Sequence, residues 1–185
     1  ALLVLAVAIL LCALVVYFGP APAQSLIPFL SEAQQQSLPL LESLFSLIIF
    51  GGLLLFALLG GAISRVNPLR LGSKPAKMAA IGLLMGVFGL VAAVIYAKIN
   101  GTLLEGPGLQ PGAVMLAWGL GIVLFQTASE EIYFRGWLQP VLARRWGTQA
   151  AILTGAAAFA ALHVMGGARS PTTLLNLFLG GLLFG

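Results

Sequence analysis

The chain has 185 residues, 60% of them hydrophobic and 8% charged, with nine Lys and Arg against five Asp and Glu and a formal net charge of +4. So few polar side chains cannot cover a soluble globule of this length, and a mean hydropathy of +1.06 fits an integral membrane protein. The basic residues lie in connections instead of forming a stripe, so the positive balance does not imply a nucleic-acid partner. Cys12 is the single cysteine and stands inside an apolar run. It supports no disulfide framework and reads as a small membrane-buried hydrophobe.

A hydrocarbon core of about 30 Å takes about 20 helical residues, and the sequence offers six candidate spans. The first covers residues 1–18, the second 41–63 and the third 78–99, each bounded by Pro, Gly or charge. A fourth starts after Pro111-Gly112 and runs through Trp118 and Phe125 as far as Arg145. A fifth covers 148–164, and a sixth begins near Thr172 and is still apolar at Gly185. The runs are continuous instead of alternating, so the fold class is all-α: a polytopic transmembrane helix bundle of about six helices, not a barrel. We expect residues 1–185 to form a single transmembrane domain.

Arg65, Arg70, Lys74 and Lys77 crowd the connection between the second and third spans, and Arg144 and Arg145 mark the one between the fourth and fifth. The positive-inside bias puts both connections and the N-terminus in the cytoplasm. The segment from Gln24 to Gln36, with only Glu32, and the segment from Asn100 to Gly112, with only Glu105, fall on the other side; Lys98 and Arg169 are the isolated exceptions. Basic loops of this kind suit anionic lipid head groups.

The beginning of the chain has a second reading. Residues 1–18 followed by Gly-Pro-Ala21-Pro-Ala23-Gln24 have the outline of a signal peptide with a small-x-small cleavage site. The run is long for a signal core and no basic segment precedes it, which favours a retained helix. The chain opens on Ala and stays apolar to Gly185, so the expectation is a piece of a longer membrane protein. The many glycines, among them Gly51, Gly52, Gly60, Gly61, Gly119, Gly121, Gly155, Gly180 and Gly181, are expected to allow close helix packing.

Against this apolar background the segment Glu130-Glu131-Ile-Tyr-Phe-Arg135 stands out. Burying ionised side chains in hydrocarbon costs several kcal/mol, so an intramembrane Glu-Glu-Arg cluster is a functional-site hypothesis by default. Glu131 and Arg135 are four apart with the acid first, the favourable order for an intrahelical ion pair. Glu130 points about 100° away, on the side of Gln126 and Phe134, and is left to face the bundle interior.

The sequence has one histidine, His163, one turn after Phe159 on the fifth span. The turn between the fourth and fifth spans centres near Trp146-Gly147, with Glu130 about 16 residues before it and His163 about 16 after. At roughly 1.5 Å per residue both fall about 25 Å from the turn, so an antiparallel hairpin sets them at one level. Gly136 and Pro140 are the places where the fourth helix would bend. A carboxylate beside an imidazole is what general-base activation of water requires. The bland alternatives are a structural Glu-Arg pair and a hydrogen-bonded packing histidine. A zinc reading is incomplete on these residues alone, since such sites take three or four protein ligands.

Glu130-Glu131-x-x-x-Arg135, Phe159-x-x-x-His163 and Phe178-x-x-Gly181-x-x-x-Gly185, in that order on consecutive spans, resemble the first three motifs of the CPBP intramembrane proteases. That family, also called Abi, includes the CAAX prenyl proteases and proteins associated with bacteriocin processing and immunity. The resemblance covers residues 113–185 as a catalytic core. It implies a membrane endopeptidase of a bacterial inner or organellar membrane, whose partners are lipids and a peptide or protein substrate.

In that reading Glu130 corresponds to the glutamate that activates water, and His163 positions the water or stabilises the oxyanion. Glu131 and Arg135 hold the cluster in place, and Phe134, Phe159 and Asn176 contact substrate. A divalent metal such as zinc, where members use one, would fall to Glu130 and His163. The family's fourth motif, a second His followed four residues later by Asn or Asp, has no counterpart up to Gly185. The piece by itself is therefore expected to be inactive. Two other classes stay open: a non-catalytic immunity or scaffold protein of the same fold, and a proton-coupled transporter, for which no internal symmetry speaks.

Overall fold

The structure, a computed structural model, describes residues 1–32, 38–70, 72–103 and 112–183. Among them every regular element is a helix. In chain order these are α1 (Leu2–Phe18), α2 (Pro20–Leu26) with a 3-10 turn at Ile27–Phe29, α3 (Leu38–Ser64) and α4 (Pro75–Ile99). Then come α5 (Ala113–Glu131), a π-helical segment (Ile132–Leu138), α6 (Gln139–Trp146), α7 (Thr148–Met165) and α8 (Pro171–Leu183). Residues 1–69 and 114–185 form one compact unit, and 70–113 form a second.

Among the described residues five helical stretches are long and apolar enough to cross a membrane: Leu2–Phe29, Pro39–Ser64, Pro75–Ile99, Ala113–Trp146 and Thr148–Met165. The protein is thus a multi-pass, all-helical membrane protein. The sixth candidate is the shorter apolar helix α8, whose 13 residues rise about 20 Å.

Boundaries differ from the sequence reading at two places, each for a local reason. The first span does not stop at Phe18, because Gly19 keeps helical angles (φ −55°, ψ −35°) and Pro20 opens α2 where a missing N–H costs little. The small-x-small segment Ala21-Pro-Ala23 is accordingly helical, and Ala23 is fully buried. The fourth span is divided by the π segment, which ends just before Pro140. A widened turn upstream of a proline is a common way to accommodate the lost N–H. Glu105 and residues 33–37 of the Gln-rich connection lie outside the described residues.

In the larger unit α1 crosses α3 closely. A Cβ on Gly19 would lie 2.9 Å from Ile49 Cγ1, and one on Gly52 would touch Val15. Gly60 faces the Trp137 indole, Gly136 faces the Pro68 carbonyl, and Gly181 faces Ala156. Of the glycines expected to allow close packing, Gly52, Gly60 and Gly181 do so, and Gly19 and Gly136 join them. Gly51, Gly119, Gly121, Gly155 and Gly180 meet nothing within 4 Å in this structure.

The end of α3 is secured by side chains from the fourth span. Arg65 takes a left-handed φ of 53°, a conformation that costs a non-glycine residue about 1 kcal/mol. Arg144 donates from Nη1 to the Ser64 carbonyl at 2.8 Å and from Nη2 to the Arg65 carbonyl at 3.0 Å. Two of the orphan carbonyls of a helix C-terminus are thereby satisfied by a cation. Trp137 Nε1 adds a donor to Ser64 Oγ at 3.3 Å. Arg65 and Arg144 therefore share one end of the bundle, as the positive-inside argument requires of the two basic connections.

α4, in the smaller unit, begins with Pro75 in its first turn. Asn100 Nδ2 donates to the Tyr96 carbonyl at its C-terminus, at 2.8 Å.

Candidate active site

α5 and the π segment place Gln126, Glu130 and Phe134 at successive four-residue steps along one face. All three line a cavity of about 300 Å³ within the larger unit. α7 supplies Phe159, Leu162 and His163 from the other side, and α1 and α3 close it with apolar side chains, among them Val16, Phe50 and Leu53. Cys12 also lines it. Glu130 and His163 thus line a common space inside the bundle.

The imidazole is held from behind. His163 Nδ1 lies 2.8 Å from the carbonyl oxygen of Phe159, one turn back on the same helix. A carbonyl can only accept, so Nδ1 carries the hydrogen and Nε2 is the atom left for the cavity. The Phe159 ring packs against the imidazole at a centroid distance of 4.4 Å. Phe134 meets Phe159 edge to face at 5.3 Å, which links the π segment to α7.

Glu131 and Arg135 form the ion pair that their spacing implies, with Arg135 Nη1 donating to Glu131 Oε1. Neither side chain lines the cavity. Arg135 lies behind it, in a smaller pocket with Phe134, Phe159, Ala156 and Gly181. Asn176 is exposed on α8 and is not part of the cavity wall. The structure therefore brings Glu130, His163, Phe134 and Phe159 together, sets Glu131 and Arg135 beside them, and leaves Asn176 apart.

Three contributors have no role in the sequence reading. Tyr133 is fully buried, and its hydroxyl donates to the Ala8 carbonyl at 2.6 Å, tying the π segment to α1. A tyrosine in an apolar helix needs such a partner, and that need was the available signal. Gln126 and Cys12 line the cavity. The signal for Gln126 is a polar amide one turn from Glu130 on the same face. For Cys12 there was none, because α1 is apolar on all sides.

A metal would need more than the two donors Glu130 and His163. Among the described residues no group of three or more His, Cys, Asp or Glu side chains is placed to hold an ion. The donor set falls short of the three protein ligands of a catalytic zinc site.

Fold and cavity define a helical membrane protein with a carboxylate and an imidazole in a shared internal cavity. Residues 112–185 match the family described as Rce1-like: Type II CAAX prenyl endopeptidase Rce1-like. The match covers less than half of the chain, contains Glu130, His163 and α8, and is consistent with the CPBP resemblance. No curated protein and no solved structure matches the chain.

Proposed function

We propose that this protein is an intramembrane endopeptidase. It would hydrolyse a peptide bond of a membrane-associated or prenylated substrate with water activated by Glu130. The observation that carries this reading is that Glu130 and His163 line one cavity whose remaining wall is largely apolar. Water held between the two is polarised from both ends. As its oxygen attacks the peptide carbonyl, its proton passes to the Glu130 carboxylate, and the same proton then goes to the departing amine as the C–N bond breaks. Low-polarity walls strengthen each of these electrostatic interactions.

The family match supports the reaction class and suggests the kind of substrate. A cavity of about 300 Å³ adjoins the two groups. The test uses the full-length protein in liposomes and an internally quenched peptide carrying an S-farnesyl cysteine followed by three residues. Glu130→Gln is expected to lower turnover by about 10²- to 10⁴-fold, the usual contribution of a general base. Cleavage at the wild-type rate by purified Glu130→Gln protein sinks the role of Glu130, and a wild-type protein that leaves the peptide intact sinks the proposal in favour of the scaffold reading.

A further inference from the structure

Gln126 is the one polar side chain of the cavity wall, apart from Glu130 and His163, that carries an amide. It sits one turn before Glu130 on the same face of α5, and both side chains line the cavity. An amide in an apolar helix is costly when it is unpaired. Packing alone would be served better by Leu or Met at this place. A carboxylate can only accept, so a hydrogen bond between the two side chains has the Gln126 amide N–H as donor and a Glu130 oxygen as acceptor.

A general base works only when its reactive oxygen is held at the right angle to the water. Glu has three rotatable side-chain bonds, and within the ion-pair cluster Arg135 is committed to Glu131. Among the described residues Gln126 is the amide that shares the cavity wall with Glu130, one turn away on the same helix face. Occupying one carboxylate oxygen leaves the other to take the proton.

We propose that Gln126 is a positioning residue for the reaction. Its amide N–H fixes one oxygen of Glu130, so that the second faces the water shared with His163. This inference rests on the endopeptidase reading. It adds to that reading a third group, which acts through Glu130 and makes no contact with the reacting atoms.

Two variants separate orientation from packing. Gln126→Met keeps the length and lies comfortably in hydrocarbon but has no donor; Gln126→His restores an N–H at similar reach. In the full-length protein with the farnesyl-cysteine peptide, Gln126→Met is expected to lose about 10-fold or more in kcat with KM within about 2-fold, a fraction of what a general base contributes. Gln126→His should recover part of that loss. A role in packing alone predicts the reverse, with Met tolerated and His not.

A second readout is independent of turnover. The Gln126 side-chain amide resonance, assigned by its disappearance in Gln126→Met, should shift when Glu130→Leu removes the acceptor. A Gln126→Met protein with wild-type kcat, or an amide signal indifferent to Glu130→Leu, overturns the inference. Glu130→Gln measured beside them keeps the two levels apart. If Glu130→Gln is inactive and Gln126→Met is fully active, only the role of Gln126 fails. If Glu130→Gln is active, the role of Glu130 fails, and if the wild-type protein leaves the peptide intact, the endopeptidase reading fails; in either case Gln126 loses its role as well.

Discussion

Nδ1 of His163 and the carbonyl oxygen of Phe159 lie 2.8 Å apart, and this pairing decides which ring nitrogen is left for chemistry. With Nδ1 committed to a helix carbonyl, only Nε2 can touch water or substrate in the cavity. In the neutral ring Nε2 is an acceptor, suited to orienting a water hydrogen; only the charged ring could donate to an oxyanion there.

The two amides that mimic the ring make this testable. A Gln at position 163 places its terminal atoms near Nε2, whereas an Asn places them near Nδ1. We expect His163→Gln to keep more activity than His163→Asn, both being well below wild type. Equal turnover by the two variants, measured as initial rates at saturating peptide, would argue that Nε2 has no special role.

The neighbouring glutamates should separate just as sharply. Glu131 is 45% exposed and paired with Arg135, whereas Glu130 faces the cavity. In water an exposed i,i+4 pair is worth about 0.5 kcal/mol, whereas this pair lies on a membrane span. Glu131→Gln should cost at least about tenfold less turnover than Glu130→Gln, given the 10²-fold or greater contribution of a general base. A double-mutant cycle with Arg135→Gln, read by thermal unfolding in detergent, measures the pair itself. A coupling above about 2 kcal/mol would show that the pair is shielded far better than its exposure implies.

Much of this arrangement was legible in the sequence because each inference needed only one helix or one turn. A run of about 20 apolar residues identifies a span, a four-residue spacing identifies the Glu131–Arg135 pair, and equal distances from Trp146-Gly147 set Glu130 level with His163. Even the π segment between Glu131 and Gln139 did not separate the two cavity groups. The contributions of α1 and α3 were not legible. In a membrane helix that is apolar on every side, no periodic pattern marks the face turned toward the protein. Cys12, Val16 and Leu53 therefore gave no sign of facing Glu130. The run-on at Gly19-Pro20 was hidden for a different reason: a residue pair that usually ends a helix is used there for a close approach to Ile49. Asn176 carries suitable chemistry in a motif-like position, yet α8 turns it away from the cavity.

Tyr133 offers a stability prediction separate from catalysis. Its hydroxyl, fully buried, is bound to the Ala8 carbonyl, and its ring packs on Trp137 at 5.2 Å. Tyr133→Phe keeps the ring and removes the hydrogen bond, at a cost of about 1 kcal/mol. The Ala8 carbonyl retains its own helical partner, which limits the loss. Thermal unfolding should show a lower midpoint with turnover changed by less than a few-fold. A collapse of turnover at unchanged stability would instead place the hydroxyl in the reaction.

The last prediction concerns how α8, which adds no residue to the main cavity, supports it. A Cβ on Gly181 would lie 2.8 Å from both Cα and Cβ of Ala156 on α7, a contact with backbone that no rotamer change can relieve. Gly181 also borders the small pocket behind Phe134 and Phe159, and Phe159 in turn holds His163 through its carbonyl and its ring. Forcing α8 outward therefore loosens the wall that fixes the imidazole. Gly181→Leu should destabilise by about 1–3 kcal/mol, as overpacking does, and lower turnover as well. Gly181→Ala should do so more mildly. If separation between the two helices is what matters, Ala156→Gly introduced with Gly181→Ala removes the contact with Cβ and leaves the one with Cα, so the pair should unfold at a higher temperature than Gly181→Ala alone and recover part of its turnover. A double variant no better than Gly181→Ala would mean that Gly181 serves the fold by some route other than its approach to Ala156. Recovery of stability without turnover would separate the packing of α8 from the placement of His163.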